Sequence, residues 1–252
     1  MTLPDFNPMP VYLILGATGG IGSTLCRRLA KNQAASLVLG GRRGEPLESL
    51  AKELNGHALA GDATDPAYVD KLVERARELH GRLDGLVNCV GSILLKPAHL
   101  TSPEEFQQTL STNLVSAFSC VRAGANAMRE TGGSIVLLGT AASLIGLPNH
   151  EAIAAAKAGI TGLALSAAAS YAARNIRVNV VAPGLTKTPL TTRLTQNEAS
   201  AKASIAMHPL GRLGEPEDVA RAIEFFLDPC NSWVTGQVLA VDGGLSTLKT
   251  RG

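Results

Sequence analysis

The chain has 252 residues, of which 45% are hydrophobic and 17% charged, a balance that suits a globular core and argues against a disordered or fibrous protein. Its formal net charge of +2 comes from scattered Lys and Arg residues, without the block of like charge that binds a nucleic acid backbone. The first ten residues lack the basic start of a signal peptide, and no apolar run approaches the roughly 18 residues of a membrane span. We therefore expect a soluble, cytoplasmic protein without a nucleic acid or membrane partner.

The cysteines and histidines show no spacing typical of a metal site or a redox pair. The four cysteines stand far apart in the sequence, at Cys26, Cys89, Cys120 and Cys230. We expect no bound metal, and we expect the thiols to be reduced and buried.

Seven short apolar runs recur between longer segments of helical period. They lack polar alternation, which is typical of strands buried on both faces of a parallel sheet. The runs begin at Val11, Ser36, His57, Asp84, Ser134, Ile176 and Gln237. The segments between them predict helices over 21–31, 46–54, 66–79, 103–128, 151–171 and 216–227. The alternation predicts an α/β fold in which a doubly wound parallel sheet forms the middle of three layers.

No linker, repeat or shift in composition divides the chain, so we expect a single domain over residues 1–252. The stretch 188–213 is the exception within it, because it is polar, rich in Thr, Ser and Ala, and weakly periodic. A segment of this length in a compact fold favours a substrate lid over a disordered loop. We call this segment the lid, and we expect it to form the wall of the substrate pocket together with the loop over 92–100.

A glycine-rich loop follows the first predicted strand and leads directly into a helix. Its glycines permit a tight turn and the close approach of a pyrophosphate to N–H groups at the helix N-terminus. The strand-to-helix position is the context in which such a loop binds dinucleotides, so the sheet is predicted to be a Rossmann fold. The candidate contacts in this loop are Gly16, Thr18, Gly20, Ile21 and Gly22.

The end of the second strand predicts which coenzyme is bound. A dehydrogenase selective for NAD places an acidic residue there, about twenty residues after the loop, on the ribose 2′-hydroxyl. Here the chain carries Arg42 and Arg43 instead. Two guanidinium groups and no carboxylate favour the 2′-phosphate of NADPH over NADH. The alternative is a pair of exposed arginines in a turn.

Further motifs follow in order: Asn-Cys-Val-Gly at 88–91, Asn113 within Ser-Thr-Asn-Leu, Pro183-Gly184, and Val-Asp-Gly-Gly near the end. Together with the glycine loop they resemble the short-chain dehydrogenase/reductase family over essentially the whole chain. The resemblance implies that Asp62 and Ala63 lie beside the adenine. It implies further cofactor contacts from Asn88, Val90, Gly91, Pro183, Gly184, Thr186 and Thr188.

The same resemblance implies a catalytic frame of Asn, Ser, Tyr and Lys, with the tyrosine four residues before the lysine. Asn113 and Lys157 match this frame, and Thr140 stands in the place of the serine. Ile153 stands in the place of the tyrosine. Because isoleucine carries no exchangeable proton, ordinary ketone reduction through a tyrosine is excluded. Lys157 keeps the role, implied by the family, of bonding to the nicotinamide ribose.

His150 is a candidate substitute for the missing acid. It lies seven residues before Lys157, which is two helical turns and therefore the same helix face. This spacing resembles the tyrosine position of the enoyl-thioester reductases in the same superfamily. An imidazole titrates near neutrality and could donate a proton or stabilise an enolate. The alternative is a solvated first-turn residue that follows an N-cap at Asn149.

Two functions stay open at this point. One is an NADPH-dependent reductase with altered proton chemistry, best suited to conjugate reduction of enones or enoyl compounds. The other is a catalytically silent NADP-binding sensor or structural subunit. The small residues of the helices over 103–128 and 151–171 add, through the resemblance, the expectation of a homo-oligomer, a dimer or a tetramer.

Overall fold

The computed structural model describes residues 9–249. Seven strands form one sheet in which every neighbouring pair is parallel, in the order β3-β2-β1-β4-β5-β6-β7. The predicted doubly wound α/β fold is confirmed. The strands are β1 (Val11–Leu15), β2 (Ser36–Gly41), β3 (His57–Ala60), β4 (Gly85–Asn88), β5 (Gly133–Leu138), β6 (Ile176–Pro183) and β7 (Val238–Val241).

Helices cover both faces of the sheet. They are α1 (Gly20–Asn32), α2 (Gly44–Glu53), α3 (Pro66–His80), α4 (Pro103–Leu110), α5 (Ser116–Ala127), α6 (Glu151–Tyr171), α7 (Thr192–Thr195), α8 (Glu198–Met207) and α9 (Pro216–Leu227). Side chains of α3, α5 and α6 join one buried cluster, and those of α1, α2 and α9 join the other. The sheet is therefore the middle of three layers.

Alternate residues of each central strand point into the two different cores. In β1, Leu13 and Leu15 belong to the cluster with α3, α5 and α6, whereas Tyr12 and Ile14 belong to the cluster with α1, α2 and α9. Both positions must be apolar, which explains the missing polar alternation. The edge strands β3 and β7 depart from the prediction of full burial, because each has a strand neighbour on one side only.

Two sequence predictions about local structure were wrong, and two helices were missed. The single helix expected over 103–128 is divided by one turn of π-helix at Ser111–Val115, which separates α4 from α5. The lid, for which no helix was predicted, contains α7 and α8. Helix α8 was missed because none of its residues is buried, so no apolar stripe marks it. Cys230 is exposed rather than buried, since it lies in a short turn after α9.

One stretch of the described chain, Glu151–Arg174, is long and apolar enough by composition alone to cross a membrane, with a mean hydropathy of 1.5. It contains α6, which packs against β6 and α4 and buries 44% of that apolar window. In this fold the segment is a core helix.

Tyr68 of α3 connects the core to the sheet edge that carries the two arginines. Its hydroxyl accepts a hydrogen bond from the Gly41 N–H at 3.0 Å and donates one to the Leu59 carbonyl at 2.7 Å. The first group ends β2 and the second lies in β3. Tyr68 therefore fixes the backbone immediately before Arg42.

We predict that Tyr68→Phe lowers the free energy of unfolding by about 1–3 kcal/mol, because two backbone groups lose their buried partner. Urea denaturation measures the change. Tyr171→Phe is the matched control, since the Tyr171 hydroxyl has no hydrogen bond to any residue within 9–249, and it should stay within about 0.5 kcal/mol of the parent chain. Equal stability of the two variants would contradict the role assigned to Tyr68.

Candidate active site

A cavity of about 260 Å³ lies at the carboxyl ends of β4, β5 and β6, between these strands, α6 and the lid. This is the edge at which ligands bind in open parallel sheets. Ile153 is part of its wall. The other residues that sequence reasoning assigned to the site and that line this cavity are Ile21, Val90, Gly91, Thr140, His150, Lys157, Pro183, Gly184, Thr186 and Thr188.

The glycine loop forms a cradle that side chains would fill. Gly16 has a φ of +74°, and a Cβ atom there would lie 2.8 Å from the carbonyl carbon of Cys89. A Cβ at Gly22 would lie 2.3 Å from the Gly16 oxygen. Helix α1 begins at Gly20, and the N–H groups of its first turn have no acceptor within the helix. The loop therefore fits the pyrophosphate of a dinucleotide.

The lid begins directly against this loop. A Cβ at Gly20 would lie 2.8 Å from the Thr188 methyl carbon and 3.2 Å from Pro189. Thr188 is in turn held by Thr191, whose hydroxyl accepts a hydrogen bond from the Thr188 N–H at 2.9 Å. One short segment thus contacts the predicted pyrophosphate cradle and also lines the cavity.

Charged groups gather where the adenine half of a dinucleotide would lie. The Asp62 carboxylate accepts hydrogen bonds from the Thr64 N–H and hydroxyl, both at 2.9 Å. These bonds, with a smaller contribution from the positive charge of Arg42, hold the pKa of Asp62 below its usual value. Arg43 donates to the Thr18 carbonyl at 3.5 Å, so it bridges the end of β2 and the glycine loop. Asp62 and both arginines therefore share one corner of the sheet.

Asn113 and Lys157 meet behind Gly91. A Cβ at Gly91 would lie 3.2 Å from Asn113 Oδ1 and 3.5 Å from Lys157 Nζ. Lys157 is 7% exposed, and its ammonium donates to the Leu138 carbonyl at 2.7 Å. Burial lowers the pKa of Lys157 from 10.5 to about 8. The site thus holds an amine whose charge is sensitive to pH in the neutral to mildly alkaline range.

Asn113 owes its orientation to the π-helical turn. Its side chain is fully buried and donates from Nδ2 to the Thr109 carbonyl and to Ser92 Oγ, both at 2.9 Å. Its Oδ1 accepts from the Ser92 N–H at 3.2 Å. Asn88, the last residue of β4, acts in a similar way. Its side chain accepts a hydrogen bond from the Val90 N–H at 3.0 Å and donates one to Ser116 Oγ at 3.1 Å. The two asparagines fix the loop after β4.

Thr140 presents a hydroxyl to the cavity. Its Oγ accepts a hydrogen bond from the Ala142 N–H at 3.3 Å, and its carbonyl accepts from the Ser143 N–H and hydroxyl. The Oγ proton of Thr140 has no acceptor among these contacts. The turn after β5 therefore holds the threonine in place while its proton stays available to a ligand.

His150 borders the same cavity, but its local structure differs from the prediction. It is the residue before α6 rather than a first-turn residue, and Asn149 adopts a φ of +64° instead of capping the helix. The Asn149 carbonyl accepts from the Lys96 N–H at 2.8 Å, which ties this turn to the loop after β4. The ring Nδ1 of His150 lies 2.8 Å from the Pro148 carbonyl. Because a carbonyl only accepts, Nδ1 carries a proton and Nε2 is the nitrogen available to a ligand.

Most of the cavity wall is apolar, and sequence reasoning had located it only as the loop over 92–100 and the lid. The individual side chains there are Ile93, Leu95, Leu190, Leu194 and Met207. His208 was missed altogether. It is buried, its Nδ1 lies 2.6 Å from the Ser204 carbonyl, and its Nε2 accepts from the Leu185 N–H at 3.3 Å. No sequence signal separates it from the other histidines, because one partner is 23 positions away.

A family model described as Enoyl-(Acyl carrier protein) reductase matches residues 16–246, and this match spans the glycine loop, the cavity and β7. The chain belongs to the short-chain dehydrogenase/reductase family. This family consists of oxidoreductases that use nicotinamide nucleotides, and the cradle described above fits such a coenzyme.

Two relatives and one solved structure illustrate the similarity within the short-chain dehydrogenase/reductase family. A 3alpha-hydroxysteroid dehydrogenase from Mediterraneibacter gnavus is 36% identical over 240 residues, covering 92% of this chain and 95% of the relative. The 3-oxoacyl-[acyl-carrier-protein] reductase FabG from Thermotoga maritima is 36% identical over 245 residues, covering 93% and 97%. The structure of ElxO with NADP bound superposes with a TM-score of 0.89 at 28% identity, covering 96% of this chain and 100% of that one.

We predict that the stability difference between Lys157→Met and the parent chain depends on pH. The native pKa near 8 lies below the unfolded value of 10.5, so the unfolded chain binds this proton more tightly and the buried amine destabilises the fold fully below pH 8. At about 1.4 kcal/mol per pKa unit, the advantage of the variant should shrink by on the order of 3 kcal/mol between pH 8 and 10.5. Chemical denaturation across this range measures it.

The control for this experiment is Lys52→Met, which removes an exposed lysine from α2. A constant difference between Lys157→Met and the parent chain across the range would show that the amine is not buried as described.

Proposed function

We propose that the protein is an NADPH-dependent reductase that acts on conjugated enones or enoyl compounds with non-standard proton chemistry. The observation that carries this proposal is the composition of one cavity. Thr140 and Lys157 line it with Asn113 behind them, whereas the residue one helical turn before the lysine is the apolar Ile153. A polar frame for hydride transfer is thus retained without a proton donor at that position.

The frame has distinct tasks in this mechanism. A bound NADPH supplies a hydride. The Lys157 ammonium would hydrogen-bond the nicotinamide ribose, as the family resemblance implies, and Asn113 keeps the loop at Gly91 and Ser92 in position. The Thr140 hydroxyl donates a hydrogen bond to the substrate carbonyl oxygen, which stabilises the negative charge that develops there.

His150 completes the proton balance. Hydride adds to the β-carbon of the conjugated system, the carbon–carbon π electrons move to give an enolate, and a proton must then reach the oxygen or the α-carbon. The Pro148 carbonyl holds the Nδ1 proton of His150, so the transferable proton is the one on Nε2 of the imidazolium. Water can reprotonate the imidazole afterwards. Conjugate reduction suits this site because enolate stabilisation matters more than proton delivery during hydride transfer.

We predict that the protein oxidises NADPH with enones or enoyl thioesters and not with saturated ketones, followed as absorbance loss at 340 nm. His150→Ala should lower kcat on the order of 10²-fold, the usual contribution of a general acid. His99→Ala is the control, because His99 lies outside the cavity lining. An unchanged rate in His150→Ala would mean that water, and not His150, supplies the proton that the enolate takes up.

A second candidate function is a catalytically silent NADP-binding sensor or structural subunit. The apolar, 5% exposed Ile153 in the cavity wall favours it. Ile153→Tyr distinguishes the two. Coenzyme binding without turnover of any substrate class, and without ketone reduction in Ile153→Tyr, would support the silent protein.

We also propose that NADPH is preferred over NADH. The support is the position of Arg42 and Arg43 at the end of β2, beside the glycine loop, together with the NADP bound in the related ElxO structure. The contact between Arg43 and the Thr18 carbonyl is long, so the guanidinium can turn to a 2′-phosphate at little cost.

We predict that Arg42→Ala and Arg43→Ala each weaken NADPH binding by about 10- to 100-fold, the loss of one or two charge-assisted hydrogen bonds. NADH affinity should change by less than about threefold, because NADH has no 2′-phosphate to lose. Isothermal titration calorimetry measures both. Arg129→Ala, an exposed arginine far along the chain, is the control. A similar loss for both coenzymes would argue that the arginines merely support the turn.

The homo-oligomer stays a prediction. The helices assigned to it carry exposed apolar side chains, Phe118 on α5 and Leu165 on α6, which would favour contact with a second copy.

A further inference from the structure

The cavity wall has an unusual charge composition for an enzyme site. Among the lining residues in the described part of the chain there is no Asp, Glu or Arg. The lining ammonium is that of Lys157, which is engaged by the Leu138 carbonyl, and the proposed reaction uses the lining His150 as its acid. Both ring nitrogens of His208 are engaged, because Nε2 accepts the Leu185 N–H and Nδ1 donates to the Ser204 carbonyl. Apart from these engaged groups, the lining offers no ionic partner to a charged group on a substrate.

The cations on the loops that form the cavity are either paired or lie outside its lining. Arg193 and Lys202 of the lid are exposed and do not line the cavity. Lys96, on the loop after β4, bonds the Glu105 carboxylate at 2.7 Å, and Lys187, next to Thr188, bonds Glu215 at 2.5 Å. A substrate carboxylate or phosphate would therefore have to lose its water without gaining a counter-charge.

The mouth of the cavity adds a second, independent observation. Four large apolar side chains, Ile93, Leu95, Leu190 and Met207, line the cavity and are nevertheless 37% to 56% exposed. Exposed apolar patches next to a cleft mark a surface that a ligand covers. The volume of about 260 Å³ is small beside the roughly 300–1,000 Å³ of pockets for drug-sized ligands, and a nicotinamide ring takes part of it. A compact reacting group would enter, and an apolar body would lie across the mouth.

We propose that this cavity selects uncharged α,β-unsaturated ketones and aldehydes with an apolar hydrocarbon body, and rejects substrates that carry a carboxylate, a phosphate or a coenzyme A group. The selection rests on the proposed reductase function for its reaction but is a property of binding. The apolar Ile153 contributes to it by presenting hydrocarbon where a phenol would otherwise stand.

The experiment compares two saturated ligands that cannot undergo conjugate reduction. NADPH binding is measured first, and 4-isopropylcyclohexanone and 4-oxocyclohexanecarboxylate are then titrated by calorimetry into the NADPH complex, whose dihydronicotinamide ring is uncharged. We expect the neutral ketone to bind at least about 10-fold more tightly than the carboxylate, since the latter is desolvated without a partner. Equal or tighter binding of the carboxylate, or no binding of either ketone, would overturn the proposal.

A charge introduced at the mouth tests the same idea in the opposite direction. Leu190→Arg should tighten carboxylate binding by about 10-fold, because it supplies the missing counter-charge. Leu100→Arg is the matched control, as Leu100 is 59% exposed against 56% for Leu190 but lies outside the lining. An equal gain in both variants would mean that the carboxylate responds to net charge and not to this mouth.

Turnover separates this proposal from the proposed function. Crotonyl thioesters of N-acetylcysteamine and of coenzyme A share a reacting group and differ in charge. NADPH oxidation with the neutral thioester alone supports both proposals, and faster oxidation with the coenzyme A thioester overturns the selection while the reductase stands. Tight binding of the neutral ketone without oxidation of NADPH by any enone leaves the selection intact and removes the reductase.

Discussion

The buried ammonium of Lys157 is the group around which the site is organised. Taking a charge out of water is costly unless hydrogen bonds replace the solvent, and here the Leu138 carbonyl at the end of β5 does so at 2.7 Å. That carbonyl can face α6 because β5 ends at Leu138, where the chain turns away toward Thr140. The parallel arrangement brings the ends of β4 and β6 to the same edge, so the other polar groups converge on the lysine.

Much of this arrangement follows from the sequence, and the reason is burial. Seven continuous apolar runs predicted seven strands because each central strand packs against a hydrophobic core on both of its faces. The glycine loop could be placed because a turn with φ near +74° and a close backbone approach leave little choice of residue at Gly16. Part of the assigned site, from Ile21 to Thr188, lines a single cavity at this edge of the sheet.

Other features had no local signal. Helix α8 buries none of its residues, so periodicity could not reveal it. The turn at Asn149 and His150 is set by a backbone bond to Lys96, some fifty residues earlier, which a pattern within the helix does not encode. His208 is likewise defined by Leu185 and Ser204. The cavity wall could be assigned to two segments, but the identity of each lining side chain depends on how those segments fold back.

The single π-helical turn at Ser111–Val115 has a further consequence. Such a turn holds one residue more than an α-helical turn. Successive side chains of an α-helix point in directions about 100° apart around the helix axis. The inward face of α5 is therefore rotated relative to that of α4, and Asn113 sits at the junction. A deletion of one residue here would restore a continuous helix, but it would turn either the asparagine or the apolar stripe of α5 away from the interior. The π-helical turn thus fixes the number of residues between α4 and α5. This segment should therefore tolerate insertions and deletions less well than an ordinary helix.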